Sequence, residues 1–311
     1  MRRRTLTFIF SIALLVLFWN TSTAIAWGPG THVKLAADLL ANLELLPAGV
    51  AALLAAHRRA FTYGNVATDT VLAKKLSKVK QVCHRWATGF GLLESAESDE
   101  GRAFAWGYLA HLAADTVAHN KFLPRQLAVA RSTIGFGHFY WEVRADSLVT
   151  RPQWDGLRLL LRSSYPEPER LLRAHLTATM LSFGTNRLIF KQMNMLASEQ
   201  AWRRSVDFWA RLSRFSLDQA VIHDYHHESI HRIIDVLTLG KSSVLLHEDP
   251  NGNAALAYAR AQRRQIFQMK RAKLPDATVI REAAAGHAPR PNRAIQIRSA
   301  DARQRIDLGE R

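Results

Sequence analysis

Cysteine is almost absent from the chain, since Cys83 is the only one among its 311 residues. A single cysteine excludes a disulfide framework, so stability must come from a packed core or from bound metal. Runs that alternate apolar and polar residues are also missing, which argues against β-sheet. After the first 26 residues, no apolar run is long enough to suggest a membrane span.

Acidic residues are scarce relative to basic ones, with 26 Asp and Glu against 42 Lys and Arg. The formal charge of +16 favours anionic partners such as a lipid surface, lipopolysaccharide or nucleic acid, without choosing among them. A generally basic, solvated surface explains the same composition. No feature of the sequence indicates a protein partner.

The N-terminus has the three parts of an export signal. Arginines at positions 2–4 precede the apolar run 6–19, and residues 24–26 (Ala-Ile-Ala) supply the small residues that signal peptidase accepts. We expect cleavage after Ala26, which would make Trp27 the first residue of an exported protein, periplasmic or secreted. An uncleaved anchor is the alternative, but the run is shorter than the roughly 20 residues of a membrane span.

Helical periodicity dominates the rest of the chain and predicts an all-α protein. We expect a signal peptide at 1–26, one multi-helix catalytic domain at 27–271 and a basic, disordered tail at 272–311, which is poor in large apolar residues. Proline-containing stretches near 152, 166–168 and 250 separate the segments. The predicted helices are 32–46, 47–59, 103–119, 139–148, 167–183, 198–215, 217–239 and 254–273.

The densest chemical signal lies in the segment 105–122, AWGYLAHLAADTVAHNKF. His111, Asp115 and His119 follow one another at intervals of four residues, which on a helix places them within an arc of about 80°. Three side chains able to bind metal therefore share one face of a helix whose other face is apolar. Imidazole and carboxylate together suit zinc.

Further residues able to bind metal are spread along the first half of the chain. His138 and Glu142 form another pair at i and i+4. Asp69 and His84 are isolated, and each has a structural alternative: Asp69 as a helix cap and His84 as a buried core residue. A separate histidine stripe on a predicted helix is either a further metal site or a polar face, and we favour the polar face. It comprises His223, His227 and His231.

Taken in order, these residues resemble the pattern of the bacterial zinc-dependent phospholipase C family, whose structural relatives include single-strand-specific zinc nucleases. The family pattern starts with an N-terminal Trp and continues His, Asp, His, HxxxD, His and HxxxE or HxxxD. The resemblance covers residues 27 to about 145 and implies the multi-helix fold of that group. The matching residues are Trp27, His32, Asp69, His84, His111, Asp115, His119, His138 and Glu142.

Two spacings depart from the family pattern. The bridging Asp is usually followed by the next His after six residues, whereas the interval from Asp115 to His119 is four. The five-residue step from Trp27 to His32 resembles the nucleases, while Glu142 in place of Asp resembles the lipases. These two features therefore indicate different substrates, nucleic acid and phospholipid. The implied zinc chemistry is the same for both groups of enzymes.

The resemblance implies three zinc ions. The first would be held by the Trp27 amine and carbonyl, His32 and Asp115. The second would take Asp69, His84, His111 and the other oxygen of Asp115, and the third His119, His138 and Glu142. A hydroxide formed between two zincs would attack phosphorus, with Asp69 also orienting the attacking water as the catalytic residue.

Three functions are compatible with this pattern. The first is an exported zinc phosphodiesterase of the phospholipase C type, which acts on phospholipid head groups at a membrane surface. The second is a zinc nuclease for single-stranded DNA or RNA, which the positive charge favours. The third is a catalytically inactive protein that zinc stabilises and whose basic surface binds an envelope component.

Overall fold

The computed structural model describes residues 27–71, 82–129, 134–177, 181–197, 204, 206, 208, 217–272 and 277–300; at 129, 134–139, 270 and 277 it describes the backbone only. The described residues contain helices and no strand, which confirms the all-α prediction. The helices are α1 Pro29–Leu40, α2 Ala48–Ala56, α3 Arg58–Ala67, α4 Trp86–Glu94, α5 Asp99–Val117, α6 Leu123–Val129, α7 Ile134–Asp146, α8 Arg151–Arg162, α9 Pro166–His175, α10 Phe183–Ala197, α11 Gln219–Leu239, α12 Asn253–Arg271 and α13 Ala277–Ala285.

Helix α5 is the central element of the fold. Fifteen of its 19 residues are buried, and α3, α4 and α11 pack around it. A helix buried on all sides needs small or apolar residues over its whole circumference, and α5 meets this need with alanine, glycine and large apolar side chains. Ser98 caps its first turn by accepting a hydrogen bond from the Gly101 amide at 3.0 Å. The polar side chains in the second half of α5, among them His111 and Asp115, are therefore held inside the protein.

Two glycines allow α3 and α5 to cross in close contact. A Cβ atom on Gly107 would lie 2.0 Å from the carbonyl oxygen of Phe61, and one on Gly64 would lie 2.1 Å from that of Phe104. No other residue type fits at this distance without separating the helices. The crossing fixes the end of α3, and the 3₁₀ turn Thr68–Thr70 that follows it, relative to α5.

A carboxylate from α7 caps the start of α1. Asp146 accepts hydrogen bonds from the Gly30 amide (3.1 Å), the Thr31 amide (2.9 Å) and the Thr31 hydroxyl (2.6 Å). These amides belong to the first turn of α1, where backbone donors have no partner within the helix. The last residue of α7 thereby anchors the helix that carries His32.

Helix boundaries differ from the predicted ones where polar side chains or prolines act locally. Helix α1 ends at Leu40 rather than at 46, because the Asn42 side chain donates to the Asp38 carbonyl at 2.6 Å and terminates the helix. Pro152 lies in the first turn of α8, where proline is tolerated, so it begins a helix that we did not predict. The predicted helix 167–183 ends early, since α9 stops at His175 and α10 begins only at Phe183.

The expected disordered tail is corrected for residues 277–300. Its first part is α13, and residues 286–300, here called the C-terminal strap, hydrogen-bond to the rest of the fold. Arg298 donates from its backbone to the Asn42 side chain at 2.9 Å, and the Ala300 amide donates to Asp38 at 2.8 Å. Polar contacts with α1 and its flanking residue order this segment, which composition alone did not indicate. Residues 301–311 lie outside the described residues.

The division into signal peptide, catalytic domain and tail otherwise stays a prediction. The expected signal peptide, residues 1–26, and most of the predicted helix 198–215 lie outside the described residues. Within the described part of the chain, none of the helices combines the length and the apolar character that crossing a bilayer requires.

Candidate metal centre

Six predicted ligands converge on one buried site, here called the His–Asp cluster. Each of these residues is at most 2% exposed. The helices α1 and α5 contribute His32, His111 and Asp115 directly, and three short non-α segments contribute the others. These are Asp69 from the turn Thr68–Thr70, His84 from the 3₁₀ segment Val82–His84, and His119 from the π-helical turn Ala118–Phe122.

Asp115 is the centre of the cluster, and its two oxygens face different partners. Oδ1 lies 3.4 Å from His32 Nε2, whereas Oδ2 lies 3.2 Å from the Nε2 atoms of both His84 and His111. His84 Nε2 is also 3.4 Å from Asp69 Oδ1. One carboxylate therefore connects two groups of potential ligands, which is the geometry of a bridging position.

These distances suit zinc. Zinc bonds of about 2.0–2.2 Å in a tetrahedron place neighbouring ligand atoms about 3.3–3.6 Å apart. The observed separations of 3.2 to 3.4 Å around Asp115 are close to that range. Two groups of three residues are also close enough to share a metal ion. In each group, one ligand atom from every residue lies within 4.8 Å of the other two. The groups are His32, Asp69 and His111, and His84, His111 and Asp115.

His119 lies in the π-helical turn. This turn covers Ala118–Phe122 and widens the helix locally. His119 Nε2 lies 3.7 Å from Asp115 Oδ2, so the side chain still faces the cluster at the four-residue interval. Isolated π turns occur often at functional sites, and this one lies next to the bridging carboxylate.

Neighbouring groups orient two of the imidazole rings. His111 Nδ1 lies 2.7 Å from the Asn65 carbonyl oxygen, which assigns the proton to Nδ1 and leaves Nε2 free to bind a cation. His84 Nδ1 lies 3.3 Å from Cys83 Sγ, and the buried Tyr108 hydroxyl donates to the Cys83 carbonyl. Cys83 is buried and acts as a small packing residue beside the ligand.

The electrostatics of the cluster favour an ionised carboxylate at Asp115 and a neutral imidazole at His32. Burial acts to raise the pKa of Asp115, but the charge and hydrogen bonding of His111, with those of His32 and His84, hold this pKa well below its ordinary value. Burial, followed by repulsion from His111, lowers the pKa of His32. Ionised carboxylate and neutral imidazole are the forms that coordinate a metal.

Unsatisfied polar atoms provide a test of whether the site fits a cation. Within the described residues, His32 Nδ1 is buried and makes no hydrogen bond, while His32 Nε2 and Asp115 Oδ1 face only each other, at 3.4 Å. Buried polar atoms without partners cost free energy, about 1–3 kcal/mol each. A zinc ion coordinated by one His32 nitrogen and by the Asp115 oxygen would offset that cost, so the residues fit the metal.

The remaining predicted ligands are only partly described. The Trp27 ring is fully buried, stacks on Phe122 at 4.8 Å and meets the edge of His226 at 5.1 Å. Glu142 is buried on α7. The side chain of His138 lies outside the described side chains, although its backbone belongs to α7. The assignment of all nine residues as ligands therefore stays a prediction.

The histidine stripe on α11 is separate from the cluster. The rings of His223 and His227 are 6.3 Å apart and those of His227 and His231 are 4.6 Å apart. Among the described residues, none of these three histidines belongs to a group of ligands that could hold a metal. Burial and the neighbouring His223 lower the pKa of His227, and burial and His227 lower that of His231. These observations agree with the favoured prediction of a polar face.

Several supporting residues escaped the sequence analysis. Asp146 lies within the predicted helix 139–148 and was not identified as a functional residue, and Asn65 acts through its backbone carbonyl, which no sequence pattern marks. His226 lies one residue before the stripe position His227 and was not singled out, although it is 6% exposed beside Trp27. Asn251 belongs to a predicted turn, and its contact with the cluster spans 167 positions.

Fold and site together define an all-α protein with a buried cluster of histidine and aspartate of the kind that binds zinc. Comparison with protein families makes this assignment specific: the family described as zinc dependent phospholipase C matches residues 31–202, more than half of the 311 residues. The chain belongs to the zinc-dependent phospholipase C family. Comparison with curated proteins and with solved structures gives no match. The matched range contains the His–Asp cluster, begins after Trp27 and ends before α11.

Proposed function

We propose that the protein is an exported zinc-dependent phosphodiesterase that hydrolyses the glycerophosphate ester bond of phospholipids. The observation that carries this proposal is the bridging geometry of Asp115, whose oxygens face His32 on one side and His84 and His111 on the other. A carboxylate in this position suits a pair of metal ions that act on one phosphate. Membership of the zinc-dependent phospholipase C family supports the substrate class.

Zinc bound in such a site supplies Lewis acidity, which activates water for attack on phosphorus and neutralises phosphate oxygens. The residues of the chain set up this chemistry in distinct ways. Asp115 joins the two halves of the cluster, and the Asn65 carbonyl fixes the ring of His111. Asp69, 3.4 Å from His84 Nε2, is the residue that we assign to orienting the attacking water through its second oxygen.

The proposal includes three zinc ions held by the nine predicted ligands. Trp27 would contribute its amine and carbonyl after removal of residues 1–26, and His119, His138 and Glu142 would hold the third ion. The buried ring of Trp27, which Phe122 and His226 hold, supports a fixed position for a new N-terminus. The proposed location is the periplasm or the exterior of the cell.

Enzyme assays on the purified mature chain test the proposal. We expect release of diacylglycerol from phosphatidylcholine vesicles, loss of this activity with a zinc chelator and recovery after zinc is added back. Asp69→Asn should retain zinc and lose turnover. Absence of diacylglycerol from a zinc-loaded preparation on every phospholipid tested would refute the phospholipase assignment.

The N-terminal ligand needs its own test, because export is not established by the fold. A chain that begins at Trp27 is compared with one that carries an additional alanine before it. If the free amine is a ligand, the extended chain binds fewer zinc ions per molecule when measured by elemental analysis. Equal zinc content in the two chains would refute this role of Trp27.

A zinc nuclease is the second candidate, and the formal charge of +16 favours it because phosphate backbones attract basic proteins. Single-stranded DNA incubated with the mature chain distinguishes the two activities. Shortened oligonucleotides without diacylglycerol release would favour the nuclease. A zinc-loaded chain that cleaves neither substrate would favour the third candidate, an inactive protein stabilised by zinc.

A further inference from the structure

A loop far along the chain contacts the His–Asp cluster from outside. It comprises residues 249–253 (Asp-Pro-Asn-Gly-Asn), here called the 249–253 loop, and it leads into α12. Asp249 organises it: Oδ1 accepts from the Asn251 amide at 2.9 Å, and Oδ2 accepts from the Asn253 amide at 3.1 Å. Such carboxylate-to-backbone bonds hold a turn in one conformation.

The first contact of the loop is with His84. The Asn251 side chain donates through Nδ2 to the His84 carbonyl oxygen at 2.9 Å, and Asn251 is 5% exposed. His84 ends a 3₁₀ segment of only three residues, Val82–His84, so the helix itself restrains it weakly. A buried hydrogen bond from another part of the chain therefore fixes the backbone that carries this imidazole.

The second contact is with the π-helical turn. Gly252 has a φ of +59°, and a Cβ atom on it would lie 2.3 Å from the His119 carbonyl oxygen. Both the positive φ and the close approach require glycine. Asn120, the next residue of the turn, donates from its side chain to the Asp249 carbonyl at 3.1 Å. The loop thus lies directly against the backbone of His119.

Residues of α4 and α11 anchor the start of the loop. Glu248, which precedes it, accepts a hydrogen bond from the Trp86 indole through its carbonyl at 2.9 Å. The Glu248 carboxylate pairs with Arg232 of α11 at 2.5 Å, and Arg232 also donates to the Thr116 hydroxyl of α5 at 2.8 Å. The loop is therefore fixed to the same central helix that carries Asp115.

We propose that Asn251 and Gly252 are positioning residues of the metal centre, which hold the backbones of His84 and His119 where each imidazole can reach a zinc ion. This inference rests on the proposed zinc site. Both residues lie beyond the range 31–202 that matches the family, so this chain completes its metal centre with a segment outside the family match. The position of each ligand then depends on a loop more than 130 residues away from it in sequence.

Zinc affinity of the full mature chain is the measurement that tests this role. Asn251→Leu keeps a similar volume and removes the donor to His84, while Gly252→Ala introduces the Cβ atom against His119. Asn253→Ala is the matched control, because its side chain bonds to Asp249 at 2.7 Å but touches neither ligand backbone in the contacts described above. Competition with a chromophoric chelator gives the affinity, and circular dichroism of each apoprotein verifies folding.

We expect Asn251→Leu and Gly252→Ala each to weaken zinc binding by about 10- to 100-fold, the usual effect of losing a group that orients a ligand. The control should stay within about twofold of the parent. A purely structural role would lower the unfolding midpoint of the apoprotein and leave the zinc affinity of the folded protein unchanged, which would overturn the inference. The two variants act on different ligands, His84 and His119. If one variant fails to fold, the zinc affinity of the other still tests the inference.

The outcomes also separate this inference from the proposed function. A parent chain that binds zinc but cleaves no phosphodiester refutes the proposed function, and the affinities still decide the role of the loop. Unchanged affinities in both variants of an active enzyme refute the role of the loop alone. A parent chain that binds no zinc refutes both.

Discussion

The carboxylate of Asp146 provides the sharpest test of how the fold supports the site. It accepts three hydrogen bonds at the start of α1, from the Gly30 amide and from the amide and hydroxyl of Thr31. Asp146→Ala leaves two backbone donors of the first turn without their partner in a buried environment. His32 is the next residue of the same turn, so loss of the cap affects both stability and the position of a predicted ligand.

The expected loss of stability follows from these bonds. Removal of a helix cap costs about 0.5–2 kcal/mol, and each buried donor left unsatisfied costs about 1–3 kcal/mol. Because these terms overlap, we expect Asp146→Ala to lower the free energy of unfolding by about 2–4 kcal/mol. Asp146→Asn keeps one acceptor oxygen for Thr31 and places an amide near the Gly30 donor, so its loss should be about half as large.

Equilibrium unfolding in urea at pH 7.5, with a chelator present, measures these differences on the apoprotein. Burial raises the pKa of Asp146 to about 6, so the carboxylate is ionised under these conditions. A loss below about 0.5 kcal/mol for Asp146→Ala, the usual size of a surface effect, would refute the assignment of Asp146 as a cap. An equal loss for Asn and Ala would refute the role of the retained oxygen.

Three further predictions follow from the packing and the charges. Gly107→Ala forces α3 and α5 apart and should cost about 1–3 kcal/mol or more in urea unfolding, whereas Gly49→Ala, which meets no atom within 4 Å, should be neutral or stabilising. Removing zinc with a chelator should lower the thermal midpoint of the parent, and an unchanged midpoint would argue against bound metal. Burial lowers the folded-state pKa values of His227 and His231, so the unfolded chain takes up protons first as pH falls below 6.5. The free energy of unfolding should therefore decrease there, and less steeply in the double His→Gln variant; equal slopes would contradict this.

Local sequence patterns predicted much of the cluster. The four-residue interval from His111 to Asp115 is a property of the helix itself, and the structure places both side chains in one site. The four-residue interval from Asp115 to His119 likewise predicted that His119 lies on a regular α-helix. The observed backbone at His119 is a π turn instead. The sequence could not indicate this turn, because the 249–253 loop that lies against it is remote along the chain.

Features that depend on distant contacts could not be read from the sequence. The capping of α1 by Asp146 joins residues 115 or more positions apart, and no periodicity marks such a pair. The order of the C-terminal strap likewise depends on Asn42 and Asp38, which supply polar partners to a segment with few apolar residues. The composition of a segment indicates how much apolar surface it can bury on its own. It does not indicate hydrogen bonds to distant residues such as these.

The enclosed ring of Trp27 has a consequence for the proposed removal of residues 1–26. Chain ends are normally among the loosest parts of a protein. Here the indole is held between Phe122 and His226. Cutting the peptide bond before this residue would create a free amine, which is either positively charged or able to bind metal. Aromatic packing already fixes the position of this amine. Proteolysis would then change the chemistry of one atom without requiring the surrounding architecture to move.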